Sequence, residues 1–210
     1  MQSAGKPPAS LRIYLARHGQ TDWNAARRLQ GAEDIPINRI GERQARELTA
    51  KLRGIRLDAI YSSALQRSRR TAELVAAGAP VVSLAELNEQ ALGRFEGTYL
   101  DGREPEKASQ YERRQADPND RLDGGESIHQ HLARVQRAVE GIRRAHPSGQ
   151  ILIVGHGGTN ALILRALLDL TPAQTDQIHQ ANDELYMIEL FPARAPLLWK
   201  QIAPQNAREL

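Results

Sequence analysis

The sequence predicts an α/β protein built as a three-layer sandwich, with a mostly parallel sheet covered by helices on both faces. Strand-like and helix-like segments alternate through most of the chain, which is the pattern of such a sheet. Gln150-Ile151-Leu152-Ile153-Val154 is an almost uninterrupted apolar run, as expected of a central strand buried on both sides. The chain has 210 residues, 40% of them hydrophobic and 25% charged, enough to bury a substantial core in one domain.

Leu11 to Ala16 reads as the first strand, apolar and β-favouring, closed by Arg17, His18 and Gly19. A polar loop follows over Asp22 to Asp34, placed as a pocket wall. Asn38 caps a predicted helix to Arg53, with Ile40, Ala45, Leu48 and Leu52 on one face. Asp58 to Ser62 reads as the second strand, and Ser63 as the start of a helix carrying Leu65, Ala72, Leu74 and Val75. Pro80 to Leu84 gives a third short strand. Glu86 to Asp120 is a long excursion rich in Gly, Pro and charge, with one helix around Glu104 to Arg114, and such excursions serve as lids or mobile loops.

Ser127 caps the clearest helix, in which Ile128, Leu132, Val135, Val139 and Ile142 form one stripe. After the apolar strand, Gly155-His156-Gly157-Gly158 leads into an apolar helix over Thr159 to Leu168. Thr171 and Pro172 start another. Glu184 to Leu190 and Pro196 to Ile202 read as two final strands. Residues 1–10 lack an apolar core and read as a disordered lead-in to a single domain over 11–210.

The absence of Cys excludes disulfides and thiolate metal sites. A formal charge of +3, with the arginines dispersed, gives no nucleic-acid signature. No stretch is long and apolar enough to span a bilayer, so a cytoplasmic location without membrane partners is expected. His129 and His131 stand two apart on a helix and point to different sides, which argues against a metal pair. His146 and His179 read as surface residues. Glu126 fits a pocket rim and a helix-start role equally, and Trp23 a pocket wall or plain packing.

In an open α/β sheet, ligands bind beyond the carboxyl ends of the parallel strands. Arg17 there offers a planar fork of donors for phosphate or carboxylate, and His18 a nucleophile that is neutral at pH 7. Taken singly, each is an ordinary loop residue. Arg17-His18-Gly19, with Thr21 and Asn24, resembles the Arg-His-Gly-x-Thr-x-x-Asn signature of the histidine phosphatase superfamily, also called the phosphoglycerate mutase-like family. Three downstream segments extend the resemblance. Ser63-Ala64-Leu65-Gln66-Arg67 with Thr71-Ala72 resembles the family's segment bearing a phosphate-binding Arg. Glu89 with Gly93, Glu96 and Gly97 resembles the stretch holding the proton donor, and Gly155-His156-Gly157 the second histidine.

The resemblance runs from Leu11 to about Leu190 and implies a six-stranded mixed sheet. It implies catalytic roles for Arg17, His18, Arg67, Glu89 and His156, and phosphate or substrate contacts for Asn24, Gln30 and Gly31, while the free amide donors at the helix start after His156, Gly157 included, favour a bound anion by themselves. In the implied chemistry His18 attacks phosphorus while Arg17, Arg67 and a protonated His156 clamp the oxygens. Glu89, kept neutral by burial and a nearby dianion, protonates the leaving group and then activates water. No cofactor or metal is called for, because the arginines supply the positive charge. Turnover is therefore expected to survive EDTA, and loss restored by a divalent ion would overturn that expectation.

The partner is a small phosphomonoester. A cofactor-dependent phosphoglycerate mutase is the alternative, although mutases carry a Tyr where Leu92 stands and a Pro-rich basic insert matched only by Arg113-Arg114. A non-catalytic phospho-ligand binding module is a third reading, disfavoured because binding alone needs neither His18 nor Glu89.

Overall fold

The computed structural model describes residues 10–201 and 207–209. Apart from Ser10, the expected lead-in lies outside the described residues. Strands β1 (Leu11–Arg17), β2 (Ala59–Ser63), β3 (Val82–Leu84), β4 (Gly149–Gly155), β5 (Leu185–Leu190), β6 (Leu197–Gln201) and β7 (Ala207–Glu209) form one sheet in the order β3-β2-β4-β1-β5-β6-β7. The first four in that order are mutually parallel, and β5, β6 and β7 join by antiparallel pairing. The sheet thus has one strand more than the family resemblance implied, the short β7 laid along β6.

Helices α1 (Asp22–Ala25), α2 (Arg39–Lys51), α3 (Gln66–Ala76), α4 (Pro105–Gln115), α5 (Ile128–Ala145), α6 (Gly157–Leu168) and α7 (Pro172–Asp176) complete the chain. Side chains alternate across a strand, so β1 and β4 supply two cores at once. Leu11, Ile13, Leu15, Ile151 and Ile153 pack with Val135, Val139 and Ile142 of α5 and Ile163 and Leu164 of α6. Tyr14, Ala16, Leu152 and Val154 face the other way, against Leu48 of α2 and Ala72 and Val75 of α3. The apolar run in β4 is uninterrupted because both of its faces are covered.

Two expectations change. Ser63 does not open a helix: it ends β2, fully buried, and α3 begins at Gln66. Its hydroxyl is occupied by the Leu65 amide at 3.2 Å and by His156, so the turn is tied before the helix starts. Ile40, expected on the buried stripe of α2, is instead exposed, while Ala45, Leu48 and Leu52 are buried.

Parallel pairing in register, Arg17 opposite Gly155, brings the ends of β1 and β4 side by side. The His18 amide donates to the Gly155 carbonyl at 3.0 Å, continuing the ladder into the loop. Gly19 then crosses the first turn of α2 backbone to backbone, where a Cβ would lie 2.4 Å from the Gly41 carbonyl oxygen. Any larger residue at Gly19 or Gly41 would push apart the helix and the loop that carries His18.

Candidate active site

Arg17, His18, Asn24, Gln30, Gly31, Arg67, Glu89 and Gly157 line one cavity of about 430 Å³ beyond the carboxyl ends of the parallel strands. His18 is 2% exposed. Its Nδ1 lies 2.8 Å from the Gly19 carbonyl, an acceptor that only an N–H can satisfy. The proton therefore sits on Nδ1, and Nε2 keeps its lone pair. Burial, followed by the charges of Arg17 and Arg67, pushes the imidazole well below its usual range, so it is neutral at pH 7. The Arg17 guanidinium donates to the Gln180 carbonyl at 2.9 Å, and its Nε is buried with no partner within the protein. A buried unpaired donor is costly unless an anion completes it.

Arg67, 1% exposed, bridges three segments: it donates to the carbonyls of Glu33 at 2.6 Å and Gly31 at 2.7 Å and, through Nε, to His156 Nδ1 at 3.2 Å. Three of its five N–H groups are used, and two are left for a ligand. Its pKa is lowered to about 10, mainly by burial, and it stays charged at neutral pH. His156 is not protonated here, contrary to expectation. Its Nδ1 accepts from Arg67, so Nε2 carries the proton and meets Ser63 Oγ at 2.7 Å. Burial and then the neighbouring Arg67 hold it well below the usual histidine range. It orients Arg67 and adds no third positive charge.

Glu89 also departs from expectation. Burial works to raise its pKa, but His131, the amides of Gly158 and Gln90, and Arg67 together leave it below the ordinary carboxylate value. Its Oε1 accepts from the amides of Gln90 (3.1 Å) and Thr159 (3.0 Å) and from Thr159 Oγ1 (3.0 Å), and Oε2 from the Gly158 amide (3.0 Å). The anion favoured at the start of α6 is this carboxylate itself. Gly158 has to be small for that, since a Cβ there would stand 2.9 Å from Oε1. Gly157 similarly leaves room for the Arg17 guanidinium, whose carbon lies 3.5 Å from where its Cβ would be.

The remaining expected residues are at the cavity wall. Asn24 uses Oδ1 to cap α1 through the Thr21 amide at 3.1 Å. Gln30 is 8% exposed, and its Oε1 has no partner. Gly31 has φ 55°, and its carbonyl holds Arg67. Trp23 is a packing residue, with the Arg28 guanidinium 4.0 Å from its ring centroid. Glu126 is neither rim nor cap: it forms a two-pronged ion pair with Arg134, which also donates to the carbonyls of Glu86, Asn88 and Glu89 and so pins the backbone beneath the carboxylate. The excursion supplies Leu100, Tyr111 and Gln115 as a cavity wall.

Sequence reasoning missed Ser63, Thr159, Gln180 and Arg134 as supports of the site. Only Thr159, immediately after the glycine pair, carried a usable signal. His131, two residues from the surface-facing His129, is buried and lies 2.9 Å from Thr159 Oγ1. His146, expected at the surface, is only partly exposed and bonded to the Tyr61 hydroxyl at 2.8 Å.

Two arginines, an imidazole with an open lone pair and a carboxylate, gathered where parallel strands end, define an anion site fitted for nucleophilic group transfer. Residues 13–201 match the histidine phosphatase superfamily (branch 1), and the chain belongs to that family. It is 33% identical over 171 residues to "Probable phosphoglycerate mutase GpmB" of Photorhabdus laumondii, covering 80% of this chain and 79% of that protein. The same-named protein of Escherichia coli is 35% identical over 166 residues, 76% of each chain. Among solved structures, mycobacterial glucosyl-3-phosphoglycerate phosphatase superposes with TM-score 0.75 at 26% identity, covering 86% of this chain and 90% of that one. Shigella flexneri alpha-ribazole phosphatase gives 0.76 at 25% identity, with 86% and 94% covered. Among the described residues no helix is long and apolar enough to cross a membrane.

Proposed function

We propose that this chain, through a single domain over residues 11–210, is a metal-independent hydrolase of small phosphomonoesters that works through a phosphohistidine on His18. The observation that carries this reading is the His18 tautomer: Nδ1 is tied to the Gly19 carbonyl, so Nε2 is free beside Arg17 and Arg67. Nε2 attacks phosphorus, the ester P–O bond breaks, and the leaving oxygen takes the proton of Glu89. Water then attacks the phosphohistidine, the P–N bond breaks, Glu89 takes the water's proton, and inorganic phosphate leaves. Arg17 Nε and the two spare donors of Arg67 neutralise the oxygens throughout.

Because the donors around Glu89 favour its ionised form, its proton has to be drawn in with the substrate. A phosphomonoester carries one below its second pKa of about 6 and, as a dianion, raises the carboxyl's own affinity for protons. Gln30 Oε1 is an unpaired acceptor that a dianion cannot satisfy. It fits a hydroxyl of the leaving group, which favours polyol or sugar-like esters.

The relatives' name keeps phosphoglycerate mutase as a second reading. Arg113 and Arg114, the counterpart of the mutases' basic insert, are engaged with Ser109, Asp120 and Asp123, none of which lines the site cavity. Turnover of 3-phosphoglycerate with and without 2,3-bisphosphoglycerate separates the two activities. Wild-type hydrolysis of 4-nitrophenyl phosphate should fall at least about 10³-fold in His18→Ala. Rapid quenching followed by mass spectrometry should place the phosphoryl group on His18. Undiminished activity in the variant, or an adduct on another residue, removes the reading, and ligand binding with no wild-type turnover would leave a binding module.

A further inference from the structure

We infer that His131 is a positioning residue for Glu89, acting through the hydroxyl of Thr159 to hold the carboxylate in its ionised state. The inference rests on the proposed role of Glu89 as the proton-carrying group. His131 is 2% exposed, in the α5 stripe that otherwise packs apolar side chains on the sheet. An imidazole buried in a helix stripe that is otherwise apolar, with no part in the phosphoryl chemistry, needs a reason to be there.

The hydrogen bonds supply it. His131 Nε2 lies 2.9 Å from Thr159 Oγ1, which lies 3.0 Å from Glu89 Oε1 and 2.9 Å from the Asn88 carbonyl, while the direct distance from Nε2 to Oε1 is 4.0 Å. The hydroxyl has one proton, and both the carboxylate and the carbonyl can only accept it. Whichever receives it, the oxygen must accept from His131, so Nε2 carries an N–H. The imidazole, its pKa lowered to about 4 mainly by burial, is neutral at pH 7, so at that pH it acts on Glu89 through this hydrogen bond, and its charge pulls on the carboxylate only once it is protonated. Its donation makes the hydroxyl a better donor toward Glu89.

The two acceptors of Thr159 give the chain a function beyond support. With Glu89 ionised, the hydroxyl proton points to Oε1. Once Glu89 is protonated that acceptor weakens, and the hydroxyl can turn to the Asn88 carbonyl while His131 keeps its bond. His131 therefore sets how readily Glu89 gives up and regains its proton in the two halves of turnover. The other charged or titratable groups facing this pair are Arg67, Arg17 and His156 on the cavity side, Tyr111 of α4, and the Glu126–Arg134 pair beside His131. None of them contacts Thr159 Oγ1 among the described residues, so the relay can be removed without disturbing those charges.

The test follows the Glu89 carboxyl by 13C NMR titration in the full-length protein, alongside the pH profile of kcat/KM for 4-nitrophenyl phosphate. His131→Leu removes the donor, so the Glu89 titration and the matching limb of the rate profile should both move up by about half to one pH unit. His131→Gln, which can place an amide N–H near the same point, should restore both. Thr159→Val breaks the chain at its other link and should reproduce the shift even if His131→Leu does not fold. A Glu89 titration unchanged in folded His131→Leu or Thr159→Val overturns the inference. The NMR titration needs no turnover, so a wild type without hydrolysis would remove the phosphatase reading while the relay is still judged by the carboxyl signal.

Discussion

Glu89→Gln is expected to turn steady hydrolysis of 4-nitrophenyl phosphate into a burst of about one nitrophenolate per active site. A slow phase about 10³-fold below the wild-type rate should follow. Nitrophenolate is a stable anion that leaves without a proton, so phosphorylation of His18 survives the loss of the acid. The second half does not, because the attacking water loses its base. An alkyl phosphate, whose alkoxide must be protonated, should show no burst and lose both halves. The amide is close to isosteric and can keep the Oε1 bonds to Gln90 and Thr159, so the effect reads chemistry more than folding. A Glu89→Gln enzyme that turns over at near wild-type rate would assign proton transfer elsewhere.

Lowering the pH from 7 to 5 is expected to cost the native state several kcal/mol of stability. Burial lowers the proton affinity of His18, His131 and His156 below the ordinary 6.5, in His131 to about 4. The unfolded chain takes up protons at these positions as the pH falls through 6.5, whereas the folded chain does not until much lower pH. The unfolded state then binds more protons, so stability falls with falling pH, by up to about 1.4 kcal/mol per pH unit for each neutral imidazole. The loss starts near pH 6.5, and the His131 contribution ends near pH 4. Glu89 adds a loss in the same direction only below the ordinary carboxylate range, because its folded pKa is depressed. Urea melts at the two pH values read this directly. An unchanged midpoint and slope would mean that these imidazoles are charged in the native protein. Vanadate or phosphate should recover part of the loss, since a bound anion favours their protonated forms.

The chemistry at the site centres on four side chains at or just past strand ends. Arg17 and His18 leave β1, Arg67 follows β2, and His156 leaves β4, and strands alternating with helices made each position legible along the chain. Glu89 was legible from the resemblance alone, since its segment has no periodicity of its own. The supporting layer was not legible. Ser63, Arg134 and Gln180 are ordinary polar residues in sequence, and they matter only because β2, α5 and the 180–182 segment converge on the same few ångströms.

Local pattern by itself determined the α/β class, the order of the strands and helices along the chain, and the residue types able to bind and attack a phosphoryl group. These follow from burial periodicity and from the fixed chemistry of imidazole, guanidinium and carboxylate. Protonation was decided by the tertiary structure alone. Whether His156 is a cation or a lever on Arg67, and whether Glu89 rests charged or neutral, depends on donors brought in from distant segments at the start of α6 and the end of β2. Spacing along the chain says which groups can meet, and only packing says which proton each one keeps.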